Sequence, residues 1–282
     1  MTETTRGPVE GSSAGVAAVD AAFATARDEG RAALVVYLPA GFPDMPTSRA
    51  CLEAAAEAGA DVLEVGFPFS DPIMDGPTIQ AASQQALDLG YRVDDDLAMC
   101  AELTANVDAP ALLMTYVTIP DTRGYDRFAE QARAAGLSGA ILPDLPAGEA
   151  GPWLDAARPR DLATVFLASS VSADARLDAI AAASTGWVYA VGLLGVTGVK
   201  DVSQDSSREL VARIRERTST PIAVGIGVKT GTHAAEVASY ADGVIVGSSV
   251  VQAAGAGDPA DAPDRVATLV RELRAGVERA AG

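Results

Sequence analysis

LEVGFPFSDPIMDGP, residues 63–77, combines the end of a hydrophobic strand, a loop with acidic residues and the start of a helix. The strand is DVLEVGF (61–67), which is apolar on both faces except at Glu64. Such strands are typical of a parallel sheet whose two faces are covered. A carboxylate is costly to bury without a partner, so the place of Glu64 calls for an explanation.

The strand–turn–helix order of this stretch recurs along the chain. Apolar, β-rich runs occupy residues 32–38, 61–67, 110–116, 138–144, 162–168, 186–192, 221–227 and 242–248. Amphipathic, Ala-rich segments lie between them, and Gly59 and Gly136 are typical of helix ends. Alternating strands and helices indicate a parallel sheet, so the chain belongs to the α/β class.

Eight such units predict a closed (βα)8 TIM barrel. We expect an extra N-terminal helix at 16–30 and an additional helix at 94–106, after the helix that follows strand 2. A doubly wound open sheet is the alternative. That fold usually has a Gly-x-Gly-x-x-Gly loop after its first strand, whereas this chain has PAGFPDMP there.

Length and charge narrow the class of protein. We expect a short disordered lead at 1–14 and one barrel domain at 15–282. The net charge of −17 argues against binding to a nucleic-acid backbone. No apolar stretch approaches the roughly 20 residues that span a bilayer, and the N-terminus lacks a signal-peptide pattern. We therefore predict a cytoplasmic protein that binds neither nucleic acid nor membrane.

Chemistry in such barrels lies at the C-terminal ends of the strands. Glu64 and Asp75 both belong to the second strand–helix unit and are expected to face one pocket. Paired carboxyls in an apolar pocket can hold different protonation states and divide acid and base work. Each has a simpler explanation, since Glu64 could pair with an arginine and Asp75 could be a turn residue.

Glycines follow the last three strands, in GVTG (195–198), at Gly225 and Gly227, and at Gly247 before Ser248. Their backbone N–H groups would meet at the mouth of a closed barrel, where phosphate binds in these folds. Tyr37, Tyr116 and Tyr189 are bulky residues near other strand ends; core packing and substrate contact explain them equally well.

Two residue counts restrict the reaction. The chain has one histidine, His233, so a site built from several histidines is excluded. Its two lysines, Lys200 and Lys229, fall in loops after strands, away from the place of a Schiff-base lysine. Cleavage of a carbon–carbon bond in a phosphorylated polyol then requires a substrate that is its own electron sink, such as an electron-rich ring protonated at carbon.

The stretch LEVGFPFSDPIMDGPTIQ (63–80) resembles the signature of the tryptophan synthase α subunit family. GVTG, VGIGV and VIVGSS fall where that family has its phosphate loops, and the resemblance spans roughly residues 20–280. It implies a barrel lyase that splits indole-3-glycerol phosphate into indole and glyceraldehyde 3-phosphate, with no cofactor in this chain. It also implies a PLP-dependent β subunit as partner in an αββα heterotetramer.

The resemblance assigns a role to each matching residue. Glu64 would be the general acid–base residue, and Asp75 would bind the indole N–H. The substrate-binding residues would be Tyr189 near Glu64, Tyr37 and Tyr116 beside the indole, and Gly198, Gly227, Gly247 and Ser248 at the phosphate. The loop 68–72 would contact the β subunit, and GVTG would belong to a lid.

Two departures from the family pattern keep other functions open. The family often has a polar residue shortly before GVTG, where this chain has GLL (192–194), and an Asn where this chain has Thr118. A stand-alone indole-releasing lyase is therefore one alternative, and a non-catalytic activator of a β subunit is another. The last alternative is another phosphate-binding barrel enzyme, such as an isomerase or the ring-closing enzyme one step earlier. The ring-closing chemistry relies on strand-end lysines, which this chain lacks.

Overall fold

The computed structural model describes residues 15–192 and 204–279, in which parallel strands alternate with helices. The strands are β1 Ala33–Pro39, β2 Val62–Gly66, β3 Ala111–Met114, β4 Gly139–Ile141, β5 Ala163–Val165, β6 Leu167–Ala168, β7 Val188–Val191, β8 Ile222–Gly225 and β9 Gly243–Val246. The helices are α1 Val16–Asp28, α2 Met45–Glu57, α3 Pro77–Asp88, α4 Val93–Asn106, α5 Thr118–Arg123, α6 Tyr125–Ala134, α7 Gly151–Ala157, α8 Asp174–Ala183, α9 Gln204–Arg215, α10 Gly231–Ala238, α11 Ser248–Gly255 and α12 Ala262–Arg279. None of the helices described here is long and apolar enough to cross a membrane.

The strands form one parallel sheet in the order β5-β4-β3-β2-β1-β9-β8-β7-β6. Its two outer strands are consecutive in the chain and are separated only by Phe166, whose carbonyl accepts a hydrogen bond from the Tyr189 N–H at 3.0 Å. The sheet therefore curls into a nearly closed barrel, and the predicted TIM-barrel class is confirmed. The single fifth strand predicted at 162–168 is wrong in detail, because its first half pairs with β4 and its second half with β7.

The two extra helices are confirmed with small shifts of their ends. The first, α1, lies at the N-terminal end of the barrel, where its buried Phe23 packs against Trp187 with ring centroids 5.7 Å apart. The second is α4, at 93–106. Gly59 and Gly136 have positive φ angles of 107° and 74°, which is the backbone conformation expected at these helix ends.

Strand alternation decides which side chains enter the barrel. Along a strand, successive side chains point to opposite faces, so residues 62, 64 and 66 of β2 share the inner face. Val62 belongs to the apolar cluster inside the barrel, whereas Leu63 and Val65 pack outward against the helices. Glu64 is thereby placed inside the barrel, near the end at which β2 leads into its loop.

A buried ion pair supports the register of β1 and β2. The Arg31 side chain is 3% exposed, and its two terminal nitrogens donate to the Asp61 carboxylate at 2.7 and 2.8 Å. Asp61 also accepts a hydrogen bond from the Leu34 N–H at 2.8 Å. The pair joins the starts of the two strands, and the register that follows sets Tyr37 beside Glu64.

Candidate active site

A cavity of about 200 Å³ opens at the C-terminal ends of the strands. It brings together most of the predicted site residues, namely Tyr37, Glu64, Asp75, Tyr189, Gly227, Gly247 and Ser248. The predicted phosphate residue Gly198 lies outside the described residues, as does the GVTG segment. Two larger hollows, of about 330 and 420 Å³, lie around Phe23 and Arg27, away from the strand ends that carry the acids.

Glu64 is fully buried, and neither of its carboxyl oxygens has a hydrogen-bond partner among the described residues. Burial raises the pKa of Glu64 to about 8, because a desolvated carboxylate is unfavourable. Glu64 therefore keeps its proton to a higher pH than an exposed glutamate does. Glu64 has no arginine partner among the described residues, because the buried Arg31 pairs with Asp61 instead.

Asp75 enters the same cavity from the loop between β2 and α3. Its backbone N–H donates to the Pro72 carbonyl at 3.1 Å, and its own carbonyl accepts from the Gln80 side chain at 2.9 Å. Burial raises the pKa of Asp75 to about 6, and a hydrogen bond from the Tyr116 hydroxyl to Oδ2 at 3.1 Å opposes that rise. Of the two carboxyls, Glu64 therefore keeps its proton to the higher pH.

Tyr116 holds the loop that carries Asp75. Besides donating to Asp75, its hydroxyl accepts a hydrogen bond from the Met74 N–H at 2.9 Å. The Phe69 ring stacks on the Tyr116 ring, with centroids 5.1 Å apart. Tyr116 supports Asp75 and is not among the residues that line the cavity, so its predicted contact with an indole ring stays a prediction.

Two glycines inside strands make room for the tyrosines of the cavity. A Cβ atom on Gly66 would lie 2.2 Å from the Tyr37 hydroxyl, and one on Gly225 would lie 2.9 Å from the Tyr189 ring. The sequence pattern assigns Gly66 no role, although a glycine in a strand is a known sign of close approach. No motif marks the apolar wall of the cavity either, which includes Met74, Ile79, Met114, Leu167, Val191 and Ile245.

Three of the residues predicted to bind phosphate, Gly227, Gly247 and Ser248, line the same cavity. Gly227 has a φ of +74°, and Gly247 precedes α11, which begins at Ser248. The Ser249 hydroxyl donates to the Val228 carbonyl at 2.8 Å and so holds the start of α11 beside the loop after β8. A helix N-terminus next to a glycine loop favours an anion. Among the described residues, no cluster of His, Cys, Asp and Glu has the arrangement of a metal site.

The sequence matches a known family over most of its length. A family model described as tryptophan synthase alpha chain matches residues 23–278. The chain belongs to this family. The tryptophan synthase alpha chains of Nocardia farcinica and Thermobifida fusca are 46% and 47% identical to it. Each alignment covers 92% of this chain, and they cover 95% and 97% of the two relatives.

Solved structures show the same relationship. Tryptophan synthase from M. tuberculosis, in an open form with BRD0059 bound, matches with a TM-score of 0.85 and 41% identity, covering 93% of this chain and 98% of that one. Tryptophan synthase subunit alpha from Legionella pneumophila str. Paris matches with a TM-score of 0.84 and 30% identity, with the same coverage. The protein is therefore a carbon–carbon lyase of tryptophan biosynthesis, which cleaves indole-3-glycerol phosphate.

Proposed function

We propose that Glu64 and Asp75 carry out this cleavage as an acid–base pair. The observation that supports the proposal is that Glu64, which is buried and has no hydrogen-bond partner among the described residues, lines one cavity with Asp75. Burial raises the pKa of Glu64 further than that of Asp75, so the two carboxyls can differ in protonation. Glu64 gives its proton to C3 of the indole ring. The ring nitrogen becomes positively charged, and its N–H donates to the Asp75 carboxylate. A charged acceptor stabilises that state more than a neutral one does.

The second half of the reaction gives Glu64 a different proton, while the first stays on C3 of the indole. The Glu64 carboxylate removes the proton of the glycerol hydroxyl next to the ring, and the carbon–carbon bond breaks. Its electron pair returns to the ring to restore indole, and the side chain leaves as glyceraldehyde 3-phosphate. Gly227, Gly247 and Ser248 hold the phosphate, so the reacting bond is kept at Glu64. Tyr189 and Tyr37 line the cavity beside the reacting ring.

This mechanism predicts a bell-shaped dependence of kcat/KM on pH. Glu64 must be protonated, so activity is expected to fall as pH rises through about 8. Asp75 must be ionised, so activity is expected to fall as pH drops through about 6. Indole release from indole-3-glycerol phosphate by the purified protein, measured from about pH 5 to 9.5, tests both limbs. Activity that keeps rising beyond pH 9 would contradict the role of Glu64.

We also propose that the protein works in the cytoplasm with a PLP-dependent β subunit, as an αββα heterotetramer, through loop 68–72. Large apolar side chains with high exposure are rare in the described part of the chain. Two of them follow strands at the active-site end, with Ile73 78% and Val171 74% exposed. Ile73 directly follows loop 68–72, so partner binding would cover apolar surface beside the entrance of the cavity.

The proposed partner is tested by measuring indole release by the protein alone and after a tryptophan synthase β subunit of Nocardia farcinica is added. We expect slow release alone and faster release with the β subunit. Ile73→Ser is expected to reduce this stimulation, whereas Leu89→Ser, at an exposed apolar residue after α3, retains it. Fast release that the β subunit leaves unchanged would favour the stand-alone lyase. No release under either condition would favour the non-catalytic activator.

A further inference from the structure

Glu64 faces an electrostatic difficulty once it has given its proton away. It becomes a fully buried carboxylate, and both of its oxygens lack a hydrogen-bond partner among the described residues. Such a charge is costly unless a donor stabilises it. No Lys, Arg or His of the described chain lines the cavity. The titratable groups that face Glu64 are Tyr37 from β1, Tyr189 from β7 and Asp75 from the loop after β2.

Tyr37 is placed beside Glu64 by the strand register. The two residues are partners in the parallel pairing of β1 with β2, and both line the cavity. The Tyr37 hydroxyl occupies the space that a side chain on Gly66 would fill, with the Cβ position only 2.2 Å away. On the other side, the Cβ position of Gly247 lies 3.3 Å from the ring. The ring is therefore confined between two glycines at the wall of the cavity that Glu64 also lines.

Tyr37 is only 6% exposed, and none of the hydrogen bonds between described residues involves its hydroxyl. Burial raises the pKa of Tyr37 well above its usual value, and the nearby Asp75 and Glu64 charges raise it further. The hydroxyl thus keeps its proton throughout the working pH range and remains available as a donor.

We propose that the Tyr37 hydroxyl donates a hydrogen bond to Glu64 when Glu64 is ionised, and so acts as a positioning residue for the proton transfer. The inference rests on the proposed acid–base role of Glu64. The hydrogen bond forms after the Glu64 proton has moved to the indole ring. It breaks when Glu64 takes the proton of the glycerol hydroxyl. Because it favours the charged form, it also lowers the pKa of Glu64 in the free enzyme.

The test is Tyr37→Phe, which removes one oxygen and keeps the ring. We expect kcat to fall about 10-fold, since a hydrogen bond to a charged group is lost. The alkaline limb of kcat/KM is expected to move up by about one pH unit, because Glu64 loses a group that favours its ionised form. The acid limb, which is set by Asp75, is expected to stay at the same pH. Tyr91→Phe is the matched control, because the Tyr91 hydroxyl binds the Met45 N–H outside the cavity.

Other outcomes would contradict either the role of Tyr37 or the role of Glu64. An alkaline limb that does not move in a folded, active Tyr37→Phe protein overturns the inference and leaves the role of Glu64 in place. A shift of the acid limb alone would assign the hydroxyl to Asp75 and also overturns it. If Glu64→Gln is as active as the wild type, the proposed function fails and the inference fails with it. Circular dichroism of the variants establishes that they are folded.

Discussion

Glu64→Gln is expected to abolish indole release, with kcat reduced at least about 1000-fold. Glutamine has nearly the same size and shape but offers no acidic proton for C3 of the indole ring. It also cannot take the proton of the glycerol hydroxyl. Because the substitution removes an interaction made during the reaction, KM is expected to change little while kcat and kcat/KM fall together. Steady-state kinetics with indole-3-glycerol phosphate measures both.

Stability measurements separate this loss from unfolding. The pKa of Glu64 is about 8 in the folded protein, against an ordinary value of 4.5, so the folded state binds the proton more tightly than the unfolded state. The contribution of Glu64 to stability therefore falls as pH rises from 4.5 through 8. Glu64→Gln removes this fall in stability, because glutamine does not ionise. The variant is therefore expected to unfold at a higher urea concentration than the wild type at pH 8.

Glu102→Gln provides the matched control for Glu64→Gln. Glu102 lies on α4, and its side chain is 65% exposed. The same change of chemistry at this surface position is expected to leave kcat unchanged. A Glu64→Gln protein that retains more than about a hundredth of the activity would contradict the proposal, since general acid–base catalysis contributes at least about 100-fold.

Asp75→Asn is expected to lower kcat/KM about 100-fold. The asparagine oxygen can still accept the hydrogen bonds of Tyr116 and of the indole N–H. It carries no negative charge, however, so it stabilises the positively charged ring nitrogen much less. The acid limb of the pH profile is also expected to disappear, because the group that titrates near pH 6 is gone. The measurement is kcat/KM for indole release between about pH 5 and 8.

The control for Asp75→Asn is Asp88→Asn, at an exposed carboxylate near the end of α3 that accepts from Gln84. This substitution is expected to leave both the rate and the acid limb unchanged. If the acid limb persists in Asp75→Asn, another group sets it, and the role of Asp75 as the ionised acceptor is wrong. Asp75→Asn therefore tests one carboxyl through the acid limb of the pH profile, whereas Glu64→Gln tests the other through kcat.

Local patterns in the sequence determined the barrel and the place of its acids. The alternation of apolar runs with Ala-rich amphipathic segments predicts parallel strands and covering helices, since each pattern reflects how one element buries its own face. Gly59 and Gly136 mark helix ends because the backbone there needs positive φ. Glu64 stands out because an acid in an apolar strand has few structural explanations.

Only the tertiary structure decided the properties that depend on other strands and loops. The chain changes neighbours at Phe166, so the fifth strand is divided, and no local pattern records which strand pairs with which. Tyr116 supports Asp75, and Gly66 leaves space for Tyr37, because these residues meet across separate elements. The protonation states of Glu64 and Asp75 depend on desolvation by the whole barrel, and burial exists only once the chain has folded.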